Sequence, residues 1–283
     1  TRLWWRTVGR PVDLDGADSW LRAPTSRSSR VADHWLDDWA AHLGGDVHHD
    51  LPGAGLVPSF DDLDGPGFRS ADLRPEVRDF YEHTSRWRME VWSGWQPLFW
   101  PGGELVSRLF GKRVGQLALP MRPLDVALGM DSRVSVITDH AGDQQAAAWV
   151  RTLRSTGEYV YSGCYSHRSL PGAARPSVHV AFPLERGNVQ VFLRPSALPD
   201  GSLVLESADH RWGGDGAYVV VEVGGRTHAA RAPVRERFRV YVDEEGVLRT
   251  DHDLRLWSAR VVRLHYRLER PERTERPERF SGA

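Results

Sequence analysis

The chain has 283 residues, with 37 basic against 38 acidic side chains and 40% hydrophobic content. Near-neutral charge removes the bulk electrostatic basis for binding nucleic acid or an anionic membrane, and the length suits one large β-rich domain with an N-terminal appendage. A single cysteine, Cys164, excludes an internal disulfide or a cysteine-rich zinc site and fits a reducing cytoplasm, while Lys112, the only lysine, confines Schiff-base chemistry to that position.

In chain order, residues 1–30 read as an irregular arm pinned by Trp4, Trp5 and Trp20. Val31, Trp35, Leu36, Trp39 and Leu43 recur at helical spacing, with Ser28 or Ser29 as a possible cap and Gly44-Gly45 as the stop, so a short amphipathic helix is expected. Residues 46–72 are rich in Gly, Pro and Asp and read as a long surface loop. A second helix is expected from Pro75, carrying Val77, Phe80 and Tyr81 on one side, and a third from Pro101 to Lys112. Between them lies the most aromatic stretch of the chain, Phe80 to Trp100, which holds four of the 12 tryptophans. So much ring surface demands burial, as a seam of the fold or as the wall of an apolar pocket.

From Ser132 to Arg270 the period becomes two. Eleven strands are expected at 132–138, 145–153, 158–168, 177–183, 188–194, 202–208, 217–223, 226–231, 236–243, 247–257 and 260–268, separated by turn signals such as Pro199-Asp200-Gly201. The links are too short for helical crossovers, so the sheet should be antiparallel, and closure into a barrel would remove its edges. The expected organisation is an arm over 1–72, helices plus barrel over 73–270 and a charged, solvated tail over 271–283. No apolar run approaches the roughly 20 residues of a membrane span, and none resembles a signal peptide. A cytoplasmic protein is expected, with no cofactor; the sequence sets no oligomeric state.

Candidate chemistry lies mainly on the strands. Alternation puts His252 inward with Leu248 and Thr250, and Tyr266 inward on the next strand with Val262, Leu264 and Leu268; imidazole and phenol together could act as an acid/base pair, or His252 could be a hydrogen-bonded core residue. Asp251 faces away from His252 and cannot orient it. Strand 158–168 presents Tyr161 and Tyr165 on one face and Cys164 on the other. The segment Glu206 to Gly214 gathers Asp209, His210, Arg211 and Trp212 at a strand end, where loops carry function, or else forms a turn in which Trp212 covers one end of the sheet. Its DHxWG form is similar, over five residues, to the lipocalin-like hydratases and cyclases of the carotenoid hydratase group. Arg194 could hold a carboxylate or enolate through its fork. His48-His49-Asp50 lacks further ligands at usable spacing and reads as loop histidines, so no metal is expected. Cys164 reads as a buried, inert thiol.

The segments LRPEVRDFYEHTSRWRMEV, ELVSRLFGKRVGQLALPM, AAWVRTLRSTGEYVYSGCYS and ERFRVYVDEEGVLRTDHDLRLWSARVVRLHYRLER, in that order, resemble a family of uncharacterised bacterial proteins over about residues 73–269. The resemblance implies a shared β-rich fold and carries over no catalytic residue. The expected fold is α+β, mainly antiparallel β: a lipocalin-like or helix-grip-like curled sheet or barrel, with the helices of residues 31–112 packed at one mouth or across the concave face. The expected function is binding of a hydrophobic small molecule of lipid or polyketide type, lined by Trp92, Trp95, Trp100, Trp149, Tyr161, Arg194 and Trp212. The alternative is a cofactor-independent cyclase, isomerase or hydratase of secondary metabolism, with His252, Tyr266, Asp209 and His210 supplying proton transfer. A module whose tryptophans recognise a protein partner is a third class.

Overall fold

The computed structural model describes residues 8–28, 31–95, 130–207, 209 and 211–270. Fourteen strands form one sheet: β1 Arg10–Pro11, β2 Val47–His48, β3 Arg88–Trp95, β4 Met130–Thr138, β5 Gln144–Leu153, β6 Tyr159–Arg168, β7 Ser177–Leu184, β8 Gly187–Ala197, β9 Leu203–Glu206, β10 Gly216–Val223, β11 Arg226–Arg231, β12 Val234–Val242, β13 Leu248–Leu256 and β14 Ala259–Glu269. Two α-helices lie wholly within the described residues, α1 Leu36–Leu43 and α2 Pro75–Glu82. All eleven strands expected after residue 130 are present, and every ladder is antiparallel.

The main path runs β2-β4-β5-β6-β7-β8-β9-β12-β13-β14-β3. It branches at β8, whose free edge pairs with β10 along Gly187–Phe192 and with β9 along Arg194–Ala197. At about 4.8 Å per strand a flat path of this length would span roughly 50 Å. Yet one face from β4 to β14 packs into a single apolar cluster around residues 54–81, so the sheet is strongly curled. It is not a barrel: no ladder joins β3 to β4 among the described residues. The expected closure is therefore corrected, because the covering segments, rather than a final ladder, protect the faces.

Both faces are covered. On the inner face, Val134, Trp149, Val180, Leu205, Val240 and Leu248 pack against Leu56, Val57, Phe60, Leu63, Val77 and Phe80. The expected surface loop at 46–72 is corrected here: its backbone wanders, but its apolar side chains are core, and the Tyr81 carbonyl ties it to α2 by accepting the amides of Leu56 and Val57. Pro75 opens α2 in its favoured first-turn position, and Val77, Phe80 and Tyr81 are buried as the spacing requires. On the outer face, Ala146, Ala148, Cys164 and Ala181 lie under Val31, Trp35, Leu36 and Trp39, while Phe192, Tyr218 and Val220 lie under Trp20 and Leu21. Helix α1 starts later than its apolar spacing suggested, with Trp35 as its cap residue, and ends at a left-handed Gly44.

The aromatic stretch departs most from expectation. Phe80, Tyr81 and Trp87 pack with the α2 core, but residues 88–95 form β3, paired with β14, in place of a link between two helices. Met89 and Val91 share a face with Leu268 and Tyr266, whereas Trp92 shares the opposite face with His265. The expected helix at 101–112 and the tail at 271–283 lie outside the described residues.

Candidate functional site

Two places bring candidate residues together. The first is on the inner face, where β5, β6, β12, β13 and β14 bend around the sheet. Arg151 stands opposite Tyr161, at a bulge that shifts the β5–β6 register between Arg151 and Thr152. An extra residue in one strand re-aims neighbouring side chains, and here it accompanies an arginine that is only 9% exposed. Its guanidinium lies 3.7 Å from the centre of the Trp149 ring, 4.8 Å from Tyr161 and 5.9 Å from Tyr266. Tyr161 and Tyr165 hydroxyls are 2.6 Å apart. Burial pushes all three phenols up, Tyr165 to about 12, so they remain neutral hydrogen-bond donors at ordinary pH.

Arg151 differs from the other arginines with a buried Nε. Arg168 donates to the Arg22 carbonyl, Arg239 reaches Asp200, and Arg267 reaches Glu269. Among the described residues Arg151 meets neither a carbonyl nor a carboxylate; its Nε has no hydrogen-bond partner, and its neighbours are ring faces and a phenol. Uncompensated burial of a cation costs several kcal/mol, whereas a desolvated cation–π contact returns about 2. The site has room for an anion in its energetics.

His252 and Glu236 complete this cluster. His252 stacks on Phe238 at 3.8 Å between ring centres and 18° between planes, and its Nε2 lies 3.3 Å from Glu236 Oε2, off the line of a hydrogen bond. Ser207, just after β9, fixes the Glu236 backbone: Ser207 N donates to the Glu236 carbonyl, and Ser207 Oγ accepts from Glu236 N at 2.8 Å. The Glu236 carboxylate also raises the phenols of Tyr165 and Tyr266, a minor contribution that places it in the same field. His252 and Tyr266 face inward as their alternation indicated, and Trp149 and Tyr161, the latter on a strand whose inner face alternation leaves open, share that face. Asp251 faces away, accepting from His265 Nδ1 at 2.8 Å.

The second place is a cleft of about 410 Å³ at the sheet rim, where Arg175, Arg194, Asp209, Arg211, Trp212 and Asp215 meet. Arg231 builds its rim by donating to the carbonyls of Asp209, Arg211 and Asp215 and, at 2.7 Å, to the Tyr218 hydroxyl. Gly214 is needed because a Cβ there would meet the Asp209 carboxylate at 2.5 Å. Asp209 is engaged with Arg211 at 3.0 Å, Arg175 with the Pro66 and Pro195 carbonyls, and Trp212 edge-on with Trp20 and Tyr218. Burial raises the Asp215 carboxyl, against the lowering influence of the Ser177 hydroxyl and of Arg194 and Arg175. This cleft is largely occupied with holding its own loop together, and Trp212 covers the outer core.

The remaining candidates scatter. Trp92 is 52% exposed on the outer side of β3, so it does not share the face of Arg151 and is corrected as a lining residue. Trp95 is in register with Val262, but its side chain, like Trp100 and His210, lies outside the described residues. Cys164 is buried, and desolvation raises its thiol to about 12, so it is inert. His48 and His49 hydrogen-bond to Thr138 and Ser135 of β4. Arg151 and Glu236 were missed as candidates; an arginine alternating into an otherwise apolar face of 145–153 was the available signal for the first, and Glu236 had none. The fold defines a class: an antiparallel β-sheet protein curled around a helix-bearing segment, with a cationic aromatic cluster on its inner face. Comparison with known protein families, with curated proteins and with solved structures finds no match.

Proposed function

We propose that the protein binds an apolar small molecule, of lipid or polyketide type, that carries an oxyanion, and that it does so on the inner face at Arg151. The observation that carries this reading is Arg151, a residue only 9% exposed whose buried Nε has no hydrogen-bond partner and which meets no carboxylate or carbonyl among the described residues. Trp149, Tyr161, Phe182 and Phe238 supply ring and apolar surface around it, and the neutral phenols supply donors. Several of these side chains, Tyr161, Tyr165, Phe182, Phe238 and His252 among them, are only part-buried, unlike the core around Val180 and Leu205.

The test is a comparison of aromatic and medium-chain carboxylic acids with their methyl esters, followed by calorimetry or by Trp149 fluorescence. A charge-assisted hydrogen bond contributes roughly 1.5–3 kcal/mol, so the acids should bind at least about tenfold more tightly than the esters, and Arg151→Met should erase the difference. Equal affinity of acid and ester for the wild-type protein, or a preserved preference in Arg151→Met, would sink the proposal.

A further inference from the structure

We infer that the inner-face cluster is a proton-transfer centre for apolar β,γ-unsaturated ketones, with His252 as the base, Glu236 as its positioning residue, and Arg151 and Tyr266 as the groups that hold the developing enolate. The inference rests on the binding reading above and names the anion that the unpartnered guanidinium serves.

Four placements carry it. Glu236 Oε2 sits 3.3 Å from His252 Nε2, which favours the tautomer with hydrogen on Nε2 and leaves Nδ1 as a proton acceptor. Phe238 fixes the imidazole plane by stacking at 3.8 Å. Tyr266 is one step along β14 from His252's register partner, Leu264, on the same face, a diagonal cross-strand neighbour. The Tyr266 ring centre is in turn 5.9 Å from the Arg151 guanidinium. Base, positioning carboxylate and oxyanion donors therefore share one surface, which is the arrangement that enolisation requires.

The step balances without a co-reactant. His252 Nδ1 takes a proton from the carbon between carbonyl and double bond. The C–H electron pair moves to give a dienolate whose oxygen lies between the Arg151 guanidinium and the Tyr266 hydroxyl. The imidazolium returns the proton to the γ carbon, and the double bond moves into conjugation with the carbonyl. Nothing is oxidised, reduced or released.

The experiment uses a phenyl-substituted β,γ-unsaturated ketone in deuterated water, with α-carbon exchange followed by proton NMR and conjugation by ultraviolet absorbance. Wild-type protein should exchange and isomerise the ketone above the buffer rate. His252→Gln should lose roughly 10²–10⁴-fold of that rate. Glu236→Gln should fall between the two, and a circular dichroism melt confirms that each variant is folded. Acid binding without ketone exchange in the wild-type protein overturns the proton-transfer inference alone, as does undiminished exchange in folded His252→Gln and Glu236→Gln. Failure of the acids to bind overturns the binding reading and this inference with it.

Discussion

The centre of the outer face and the Arg151 cluster of the inner face treat polar groups differently. On the outer face, polar side chains of the central strands are buried and closed off by the protein's own N-terminal segment. Ser162 donates to the Ala32 carbonyl at 2.5 Å and accepts from Trp35 Nε1 at 3.0 Å. His179 meets Ser166 at 3.0 Å and Gln190 at 2.8 Å, and Gln190 donates to the Leu21 carbonyl at 2.9 Å. On the inner face, Arg151 Nε is buried without a hydrogen-bond partner. Polarity that is fully answered within the chain holds the fold together. Polarity left unanswered, at several kcal/mol for a cation, is a place where something else is expected to bind.

The largest test of this contrast is Trp35→Ala. Trp35 is fully buried and hydrogen-bonded, so truncation should cost roughly 3–5 kcal/mol in a denaturant titration, and a cost below about 1 would show that the outer face is not a core. Next is acid. Desolvation, reinforced by Arg168, lowers His179 to about 3 from an ordinary 6.5, so the fold binds fewer protons than the unfolded chain between those values. Its contribution is fully present above about pH 6.5 and is lost as pH falls toward 3, at about 1.36 kcal/mol per unit. Stability measured against pH should therefore decline across that window, and His179→Gln should flatten the decline; an unchanged slope in the variant removes His179 from the account.

Arg151→Met sharpens the comparison by its sign. Removing a buried cation that lacks a carboxylate should leave unliganded stability unchanged or raise it by on the order of 1 kcal/mol, although it abolishes ligand preference. A loss of several kcal/mol would mean that the guanidinium is structural after all. Smallest is Trp92→Ala, at a ring 52% exposed beside His265, where a change within about 0.5 kcal/mol and an unaltered ligand affinity are expected.

Much of this architecture is legible in the residues. Strands 130–269 declare themselves because their alternation is regular and their turns carry Gly, Asp and Pro. Strand β3 does not, because Trp92 breaks the alternation of Trp87, Met89, Val91 and Trp95. Leu56, Phe60 and Phe68 are lost among Gly and Pro, whose local signal is a loop even where the side chains are core. The shared face of His252 and Tyr266 follows from period two. Their neighbours do not: Glu236 arrives through the β12–β13 register and Arg151 through the curl of the whole sheet, and neither separation is encoded near the residue itself.

The branch at β8 has a consequence for assembly. After β9 the chain leaves to build the β10–β11 hairpin on one arm and returns at β12 to continue the other, so both arms take β8 as their common template. Gly187 admits β10 at the start of that strand, since a Cβ there would strike the Val220 carbonyl at 2.3 Å. Neither arm has its partner until β8 is in place. Amides of the buried residues Val191, Phe192 and Leu193 should accordingly be the last to exchange with deuterium, and the order in which protection spreads outward from them gives the sequence in which the two arms are laid down.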